Sequence, residues 1–232
     1  VVVGLGYGDE GKGATVDFLC DQFKADYVVK YSGGHQAGHR VVVGDKQHVF
    51  SQYGSGAIAG VPTYLDRDFI IEPMAMAAER SALVKLGANV EIGINPNCPV
   101  TTRYHRAFNR LGGGGATCGL GIGATRVTDN IGIGLVHCEL HHGVYRVEEK
   151  VRRIRSYLLS EAKRKDESCC TDEWFMNEMN VSPMQVAGEL VEARLECHDT
   201  FEYPMSGTIV FEGSQGVLLD ETYGDRFATY ST

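Results

Sequence analysis

Short apolar runs alternate along the chain with longer segments in which apolar residues recur at helical spacing. The short runs predict strands at residues 1–5, 26–31, 69–71, 91–95 and, within residues 206–219, at 208–212. The longer segments predict helices over residues 12–23, 72–86, 101–111, 147–165 and 173–196, the last interrupted near residues 182–183. Another pair of apolar runs flanks Gly44-Asp45 and predicts a hairpin over residues 40–50. Because strands alternate with helices, we expect an α/β fold with a mostly parallel central sheet, flanking helices, and helical and hairpin insertions.

The first predicted strand runs directly into the sequence GYGDEGKG at residues 6–13. The spacing Gly6-x4-Gly11-Lys12 is that of a P-loop, in which backbone N–H groups surround a phosphate and the lysine adds a positive charge. Gly13 stands where a P-loop carries the Ser or Thr that holds magnesium. The sequence therefore predicts a P-loop NTPase-like phosphate site with a different arrangement around the metal.

Two other interpretations of this loop stay open. Gly6-x-Gly8-x-x-Gly11 also fits a dinucleotide fingerprint, which requires an acidic residue at the end of the second strand. That strand ends in Lys30 and Tyr31, and its acidic residue, Asp26, comes at its start. A tight structural turn without a ligand is the second alternative, although a pair of carboxylates beside a lysine is unusual for such a turn.

Further glycine-rich segments, at residues 33–39 and 213–216, also follow apolar runs. In a parallel sheet such turns gather at the carboxyl ends of the strands, where ligands bind. His39 is the candidate functional histidine because it lies between Gly38 and Arg40, next to the predicted phosphate loop. We expect five histidines elsewhere in the chain to be structural or surface residues: His105, His137, His141, His142 and His198.

Composition narrows the possible classes of protein. The chain has 232 residues, enough to bury a full core, and its net charge of −8 disfavours binding to nucleic acid or to a membrane surface. We find no signal peptide and no apolar run of the roughly 20 residues that span a bilayer. Seven cysteines without zinc-like spacing indicate free thiols in a reduced, cytoplasmic protein. Because the chain begins inside a strand without Met, we expect both ends to be cut.

Four sequence blocks together carry a resemblance: GDEGKG at residues 8–13, YSGGHQAGH at 31–39, SG at 55–56 and FEGSQGVLLD at 211–220. They resemble the adenylosuccinate synthetase family, in the family's order. The resemblance implies GTP-dependent joining of L-aspartate to the 6-position of IMP through a 6-phosphoryl intermediate, with Mg²⁺, in a homodimer. It also implies that residues 1–232 form a single domain that lacks the family's carboxyl-terminal guanine- and aspartate-binding part.

The resemblance also implies roles for individual residues. Asp9 would take the purine N1 proton and contact magnesium, and the backbone of Gly38 would help to coordinate that ion. His39 would stabilise charge during phosphoryl transfer, Lys12 would neutralise phosphate, and Gln215 would bind the base or the 6-phosphoryl region. Residues implied in nucleotide and phosphate binding are Gly8, Glu10, Gly11, Gly13, Gln36, Ala37, Thr117, Cys118, Arg126 and Thr229.

Some of these positions depart from the family pattern. Gln36 stands where the family usually has Asn, and Cys118 replaces a threonine at the 5′-phosphate site. Arg126 is the best candidate for the arginine that the family sends across its dimer interface to that phosphate.

Three alternative functions stay open. A related phage-type enzyme joins aspartate to dGMP, but its family pattern often has serine at the position of Asp9, so Asp9 favours IMP. A non-catalytic nucleotide-binding paralogue is disfavoured because Asp9, Lys12, His39 and Gln215 are all present. A P-loop phosphotransferase would share the loop but not the block that contains His39.

Overall fold

The computed structural model of the chain describes residues 1–111, 118–197, 206–220 and 224. Within these residues, parallel strands form a five-stranded sheet in the order β1-β7-β2-β5-β6. The strands are β1 (Val2–Gly4), β2 (Tyr27–Lys30), β5 (Thr63–Leu65), β6 (Ile92–Ile94) and β7 (Ile209–Gly216). A separate antiparallel hairpin consists of β3 (His39–Val43) and β4 (Lys46–Phe50). The mostly parallel α/β fold is therefore confirmed.

Helices surround the sheet and follow the predicted segments closely. They are α1 (Lys12–Phe23), α2 (Pro73–Lys85), α3 (Arg103–Leu111), α4 (Ile122–Asn130), α5 (Val144–Lys165), α6 (Glu173–Asn180) and α7 (Pro183–Cys197). Short 3₁₀ helices cover Ser55–Ala57, His137–His141, Glu167–Thr171 and Val217–Leu219. No helix in the described parts of the chain is long and apolar enough to cross a membrane.

Three predictions about elements were wrong. Residues 213–216 continue β7 instead of forming a turn, and their glycines let neighbouring backbone approach closely: a Cβ at Gly216 would lie 2.1 Å from the carbonyl oxygen of Gly6. Residues 69–71 make only isolated bridges, and the strand lies earlier, at Thr63–Leu65. Helix α4 was missed because its glycine-rich start is stabilised by tertiary contact, with Gly121 (φ 90°) packed on the backbone of α3.

Two apolar clusters form the core. The smaller one joins α1 to the sheet through Val16 and Cys20 against Val28 and Val210. The larger one joins the hairpin, β5 and β6 to α2, α3 and α5–α7. Because α1 is tied to the sheet, the loop between β1 and α1 is held at both of its ends.

Candidate functional site

The loop between β1 and α1 lies at the carboxyl end of an edge strand of the sheet. Its turns depend on glycine, because Gly8 and Gly11 have φ angles of 111° and 74°, in the left-handed region. The carboxylate of Glu10 folds back into the loop and accepts hydrogen bonds from the backbone N–H groups of Leu5 (3.0 Å) and Gly6 (2.8 Å). Glu10 therefore occupies backbone amides of the loop that an anion would use.

The end of β7 supports this loop from behind. A Cβ at Gly8 would lie 3.2 Å from the backbone nitrogen of Gly216 and 3.7 Å from Cα of Gln215. The N–H of Leu218 donates to the carbonyl of Gly6 at 3.0 Å. The structure therefore brings Gln215 against the phosphate loop although more than 200 residues separate them in the chain.

Lys12 begins α1 with its side chain directed back over the loop. It is 3% exposed, and its Nζ donates to the carbonyl of Gly8 at 2.8 Å. Burial lowers the pKa of Lys12, while the charges of Glu10, Asp9 and Glu212 oppose that shift. Asp9 itself is exposed, so one exposed carboxylate and one buried amino group share the loop.

Gly13, the residue that departs from the P-loop rule, packs against His39. A Cβ at this position would lie 2.8 Å from Cβ of His39 and 3.1 Å from its carbonyl carbon. Side chains do not tolerate contacts this close to rigid backbone. The absence of a hydroxyl at Gly13 is therefore explained by the approach of β3, which places His39 beside the phosphate loop.

His39 belongs to a buried polar cluster that also contains Glu212, Ser55 and Lys30. Its Nδ1 makes a hydrogen bond to Oε1 of Glu212. Glu212 also accepts from the Ser55 N–H (2.9 Å) and the Ser55 hydroxyl (2.6 Å). Burial raises the pKa of Glu212, but Lys30, His39 and Ser55 together outweigh it, so the net pKa is lowered.

The second glycine-rich turn divides into structural and exposed positions. His35 is tied down through Nε2 to the carbonyl of Leu120 (3.2 Å), and burial lowers its pKa to about 4. Ala37 is buried, Gln36 is half-buried and Gly38 is exposed. His35 therefore supports the fold, and the accessible backbone of this turn is at Gly38.

Asp9 and Gly38 are exposed residues whose carboxylate and carbonyl oxygens are candidate donors for a metal. A carboxylate and a carbonyl are hard ligands of the kind that Mg²⁺ uses together with waters and phosphate oxygens. The described residues contain no group of three His, Cys, Asp or Glu side chains that could hold an ion alone. The donor set therefore fits a magnesium ion that shares its ligands with a bound phosphate.

Of the predicted 5′-phosphate residues, the structure describes Cys118 and Arg126. Thr117 and Thr229, like the Gly112–Gly115 run, lie outside the described residues. Cys118 is exposed and lines a cavity of about 840 Å³ formed by the end of α3, α5 and residues 166–172. Arg126 donates to the carbonyl of Asp68 (2.7 Å) and lies 3.5 Å from Asp129.

Sequence reasoning assigned no role to Glu212, Lys30 or Ser55. The signal was present: Lys30 and Glu212 each follow a run of apolar residues in a strand that the pattern predicts to be buried. A charged residue in such a position is rarely buried without a partner. Each could have been marked as a member of a buried charge pair, but not matched to the other.

Comparison with known proteins agrees with the sequence blocks. The profile of the adenylosuccinate synthetase family matches residues 1–232. The adenylosuccinate synthetase of Thermoplasma volcanium is 30% identical over 97% of this chain and 52% of its own length, and that of Acinetobacter baylyi is 33% identical over 97% and 52%. The chain thus spans about half the length of these relatives.

Solved structures share the fold. A fully ligated adenylosuccinate synthetase from Plasmodium falciparum superposes with a TM-score of 0.79 at 17% identity, over 99% of this chain and 54% of that one. A cyanophage S-2L succinoaminodeoxyadenylate synthetase, bound to dGMP and dATP, gives 0.60 at 19%, over 99% and 55%. With the family profile matched along its whole length, this chain belongs to the adenylosuccinate synthetase family.

Proposed function

We propose that this chain carries the phosphoryl-transfer site of a GTP-dependent ligase that joins L-aspartate to the 6-position of IMP. The supporting observation is the packing of Gly13 on His39, which brings the lysine-bearing phosphate loop and a carboxylate-bound histidine to one end of the sheet. We take residues 1–232 as one domain of that enzyme.

Each residue at this end of the sheet has a role in the proposed reaction. Asp9, an exposed carboxylate on the loop, accepts the N1 proton of the purine and so makes the 6-oxygen a better nucleophile toward the γ-phosphate of GTP. His39 and Lys12 stabilise the negative charge that moves during transfer. Aspartate then displaces the 6-phosphoryl group, and Gln215 holds the base or the phosphoryl region.

Mg²⁺ fits the exposed oxygens of Asp9 and Gly38 and would neutralise phosphate charge when bound. Glu10 must release the Leu5 and Gly6 amides before those amides can bind phosphate, since two anions do not share the same donors. Gly8, Gly11 and Gly13 allow the close backbone approach that phosphate binding requires. Gln36, Ala37, Thr117, Cys118 and Thr229 remain predicted nucleotide contacts.

The assembly and location belong to the same proposal. We infer a homodimer in which Arg126 leaves its contacts with Asp68 and Asp129 to reach the partner's nucleotide. The six cysteines whose side chains the structure describes are free thiols, which supports a reducing, cytoplasmic compartment.

The test uses the full-length protein with GTP, Mg²⁺ and L-aspartate, and offers IMP, dGMP and GMP in parallel. Purine absorbance and phosphate release are followed together. We expect turnover with IMP, because Asp9 is present where the phage-type pattern often has serine. Turnover with dGMP alone identifies the phage-type activity instead, and no turnover with any nucleotide overturns the enzymatic proposal.

A further inference from the structure

Two opposite charges are buried as neighbours in the middle of the sheet. Lys30 of β2 and Glu212 of β7 are register partners, and both are fully buried. Strands inside a parallel sheet ordinarily carry apolar residues on both faces. Burying opposite charges also costs more in desolvation than their attraction returns unless hydrogen bonds satisfy each of them. Packing alone therefore does not account for this pair.

Lys30 maintains the charge of Glu212. Burial lowers the pKa of Lys30, and the negative charges of Glu212 and Glu79 oppose that shift. Its Nζ donates to the carbonyl of Ser51 at 2.5 Å and lies 5.2 Å from the centroid of the Phe69 ring, so the amino group is held in place. Burial alone would favour a protonated Glu212, but the positive charge of Lys30 and the bonds from His39 and Ser55 lower its pKa. Glu212 is therefore a carboxylate, and a carboxylate only accepts hydrogen bonds.

The hydrogen bond between Glu212 and His39 then determines the position of a proton. Because Glu212 accepts, Nδ1 of His39 must be the donor. The N–H and hydroxyl of Ser55 occupy further acceptor positions on both carboxylate oxygens, which prevents the carboxylate from rotating away. Nε2 is the ring nitrogen that remains for a ligand.

We propose that Glu212 is the positioning residue for His39: it fixes the proton on Nδ1 and directs Nε2 toward the phosphoryl group, and Lys30 keeps it ionised. Held this way, Nε2 faces the phosphoryl oxygens, and the carboxylate behind the ring balances positive charge that develops there during transfer. The inference rests on the proposed function for the identity of the ligand. It requires no contact between Glu212 or Lys30 and substrate, since both act through His39.

The first experiment reads the proton directly and does not depend on activity. Full-length protein labelled with ¹⁵N-histidine is examined by two-bond ¹H–¹⁵N correlation NMR at neutral pH, with the His39 signals assigned by their loss in His39→Gln. We expect Nδ1 of His39 to carry a proton. A bare Nδ1 with a protonated Nε2 overturns the inference, whatever the enzyme's activity.

The second experiment measures the functional consequence. Glu212→Gln should lower kcat on the order of 10²–10³-fold with little change in the KM for nucleotide, because the ring is no longer oriented by an acceptor-only group. The double variant Lys30→Met/Glu212→Gln removes both buried charges and keeps the test valid if the single variant is unstable. A folded variant with kcat within threefold of wild type contradicts the inference.

Glu79→Gln is the matched control. Glu79 is also buried, and it accepts from the N–H groups of Ser51 and Gln52 at 2.8 Å each, on the segment next to Ser55. We expect Glu79→Gln to lower stability but to leave the His39 proton on Nδ1 and kcat within about threefold. If wild type shows no turnover with any nucleotide, the proposed function fails, whereas the NMR result still decides whether Glu212 orients His39.

Discussion

His39 and His105 are both buried, yet they are held by groups of opposite character. His39 bonds through Nδ1 to the carboxylate of Glu212, beside the phosphate loop. His105 is bound by neutral groups: its Nδ1 accepts from the Thr102 N–H at 3.0 Å, and its Nε2 donates to the Thr128 hydroxyl at 2.9 Å. The two rings therefore carry their protons on different nitrogens.

The difference shows how burial alone misleads. Burial lowers the pKa of His105 to about 3, so this ring stays neutral and joins α3 to α4. It also satisfies the backbone at the start of α3, as a capping residue does. At His39 a negative charge is present at the ring, which a purely structural histidine does not need. The partner of the buried histidine, and not its burial, distinguishes a candidate catalytic group from a structural one.

The largest effect should come from removing the carboxylate-bound ring. We expect His39→Ala to reduce kcat on the order of 10³-fold, because a group that stabilises moving charge is lost. Turnover with GTP, aspartate and IMP measures it, with circular dichroism to verify folding. His105→Gln is the paired variant, and its kcat should stay within a few-fold of wild type. Equal losses in the two variants would mean that the contrast between the rings has no functional meaning.

A Ser at position 13, which would supply the hydroxyl that a P-loop ordinarily has there, should lower the rate of catalysis. Gly13→Ser places a side chain where Cβ would lie 2.8 Å from His39, so the ring must move. Because small misplacements of reacting groups are costly, we expect kcat to fall on the order of 10²-fold.

Gly123→Ser provides the control for that substitution. Gly123 is likewise the second residue of a helix, and a Cβ there meets nothing within 4 Å. Its kcat should match wild type. A Gly13→Ser enzyme that also keeps wild-type kcat would show that the packing of α1 on β3 does not govern the position of His39.

His105 should matter to stability rather than to chemistry. His105→Leu fills much of the same volume but leaves the Thr102 N–H and the Thr128 hydroxyl without their ring partners. We expect the free energy of unfolding to fall by about 2 kcal/mol, the cost of unsatisfied buried polar groups. Urea denaturation followed by circular dichroism measures the change, and an unchanged midpoint would contradict the assigned role.

The smallest expected effect is a dependence of stability on pH. The pKa of His105 is about 3 in the folded chain and 6.5 ordinarily, so between these values the unfolded chain binds one more proton at this site. Stability from this ring is therefore present above pH 6.5 and is lost as pH falls toward 3, by about 1.4 kcal/mol per pH unit in the middle of that window.

Urea denaturation of wild type and His105→Gln at pH 6 and pH 5 isolates the contribution of His105 to the pH dependence of stability. His35, whose pKa is lowered to about 4, contributes in both proteins and cancels in the difference. Between pH 6 and pH 5, the free energy of unfolding should fall by about 1.4 kcal/mol more in wild type than in the variant, because only the wild type has the His105 ring. Parallel losses would show that His105 is already protonated in the folded chain.

Much of the fold could be predicted from the chain because its signals are local. The helix Lys12–Phe23 has its apolar face and its preceding glycines within a few residues, and the hairpin has its turn at Gly44-Asp45. Predictions were wrong where distant contacts override local preference. Gly213 to Gly216 resemble a turn in sequence, yet pairing with β1 keeps them in β7.

The candidate site likewise has features that the sequence predicts and features that it does not. Lys12, Asp9 and His39 could be identified because glycine-rich turns after apolar strands mark the carboxyl end of a parallel sheet. The position of the Glu10 side chain could not be predicted, because a carboxylate next to a lysine in sequence does not indicate which backbone amides it accepts hydrogen bonds from. The contact that excludes a side chain at Gly13 could not be predicted either, because it is made by His39 in a strand that begins 26 residues later.

The sequence by itself determined the strand, loop and helix that carry Lys12, the second glycine-rich turn with His39, and the family to which the four blocks belong. Only the tertiary structure decided which charges meet. Glu212 lies 173 residues from His39 in the chain, and they come together because β7 inserts between β1 and β2 in the register that pairs Lys30 with Glu212. Strand order and register depend on packing summed over the whole sheet, so local sequence does not encode the pairing.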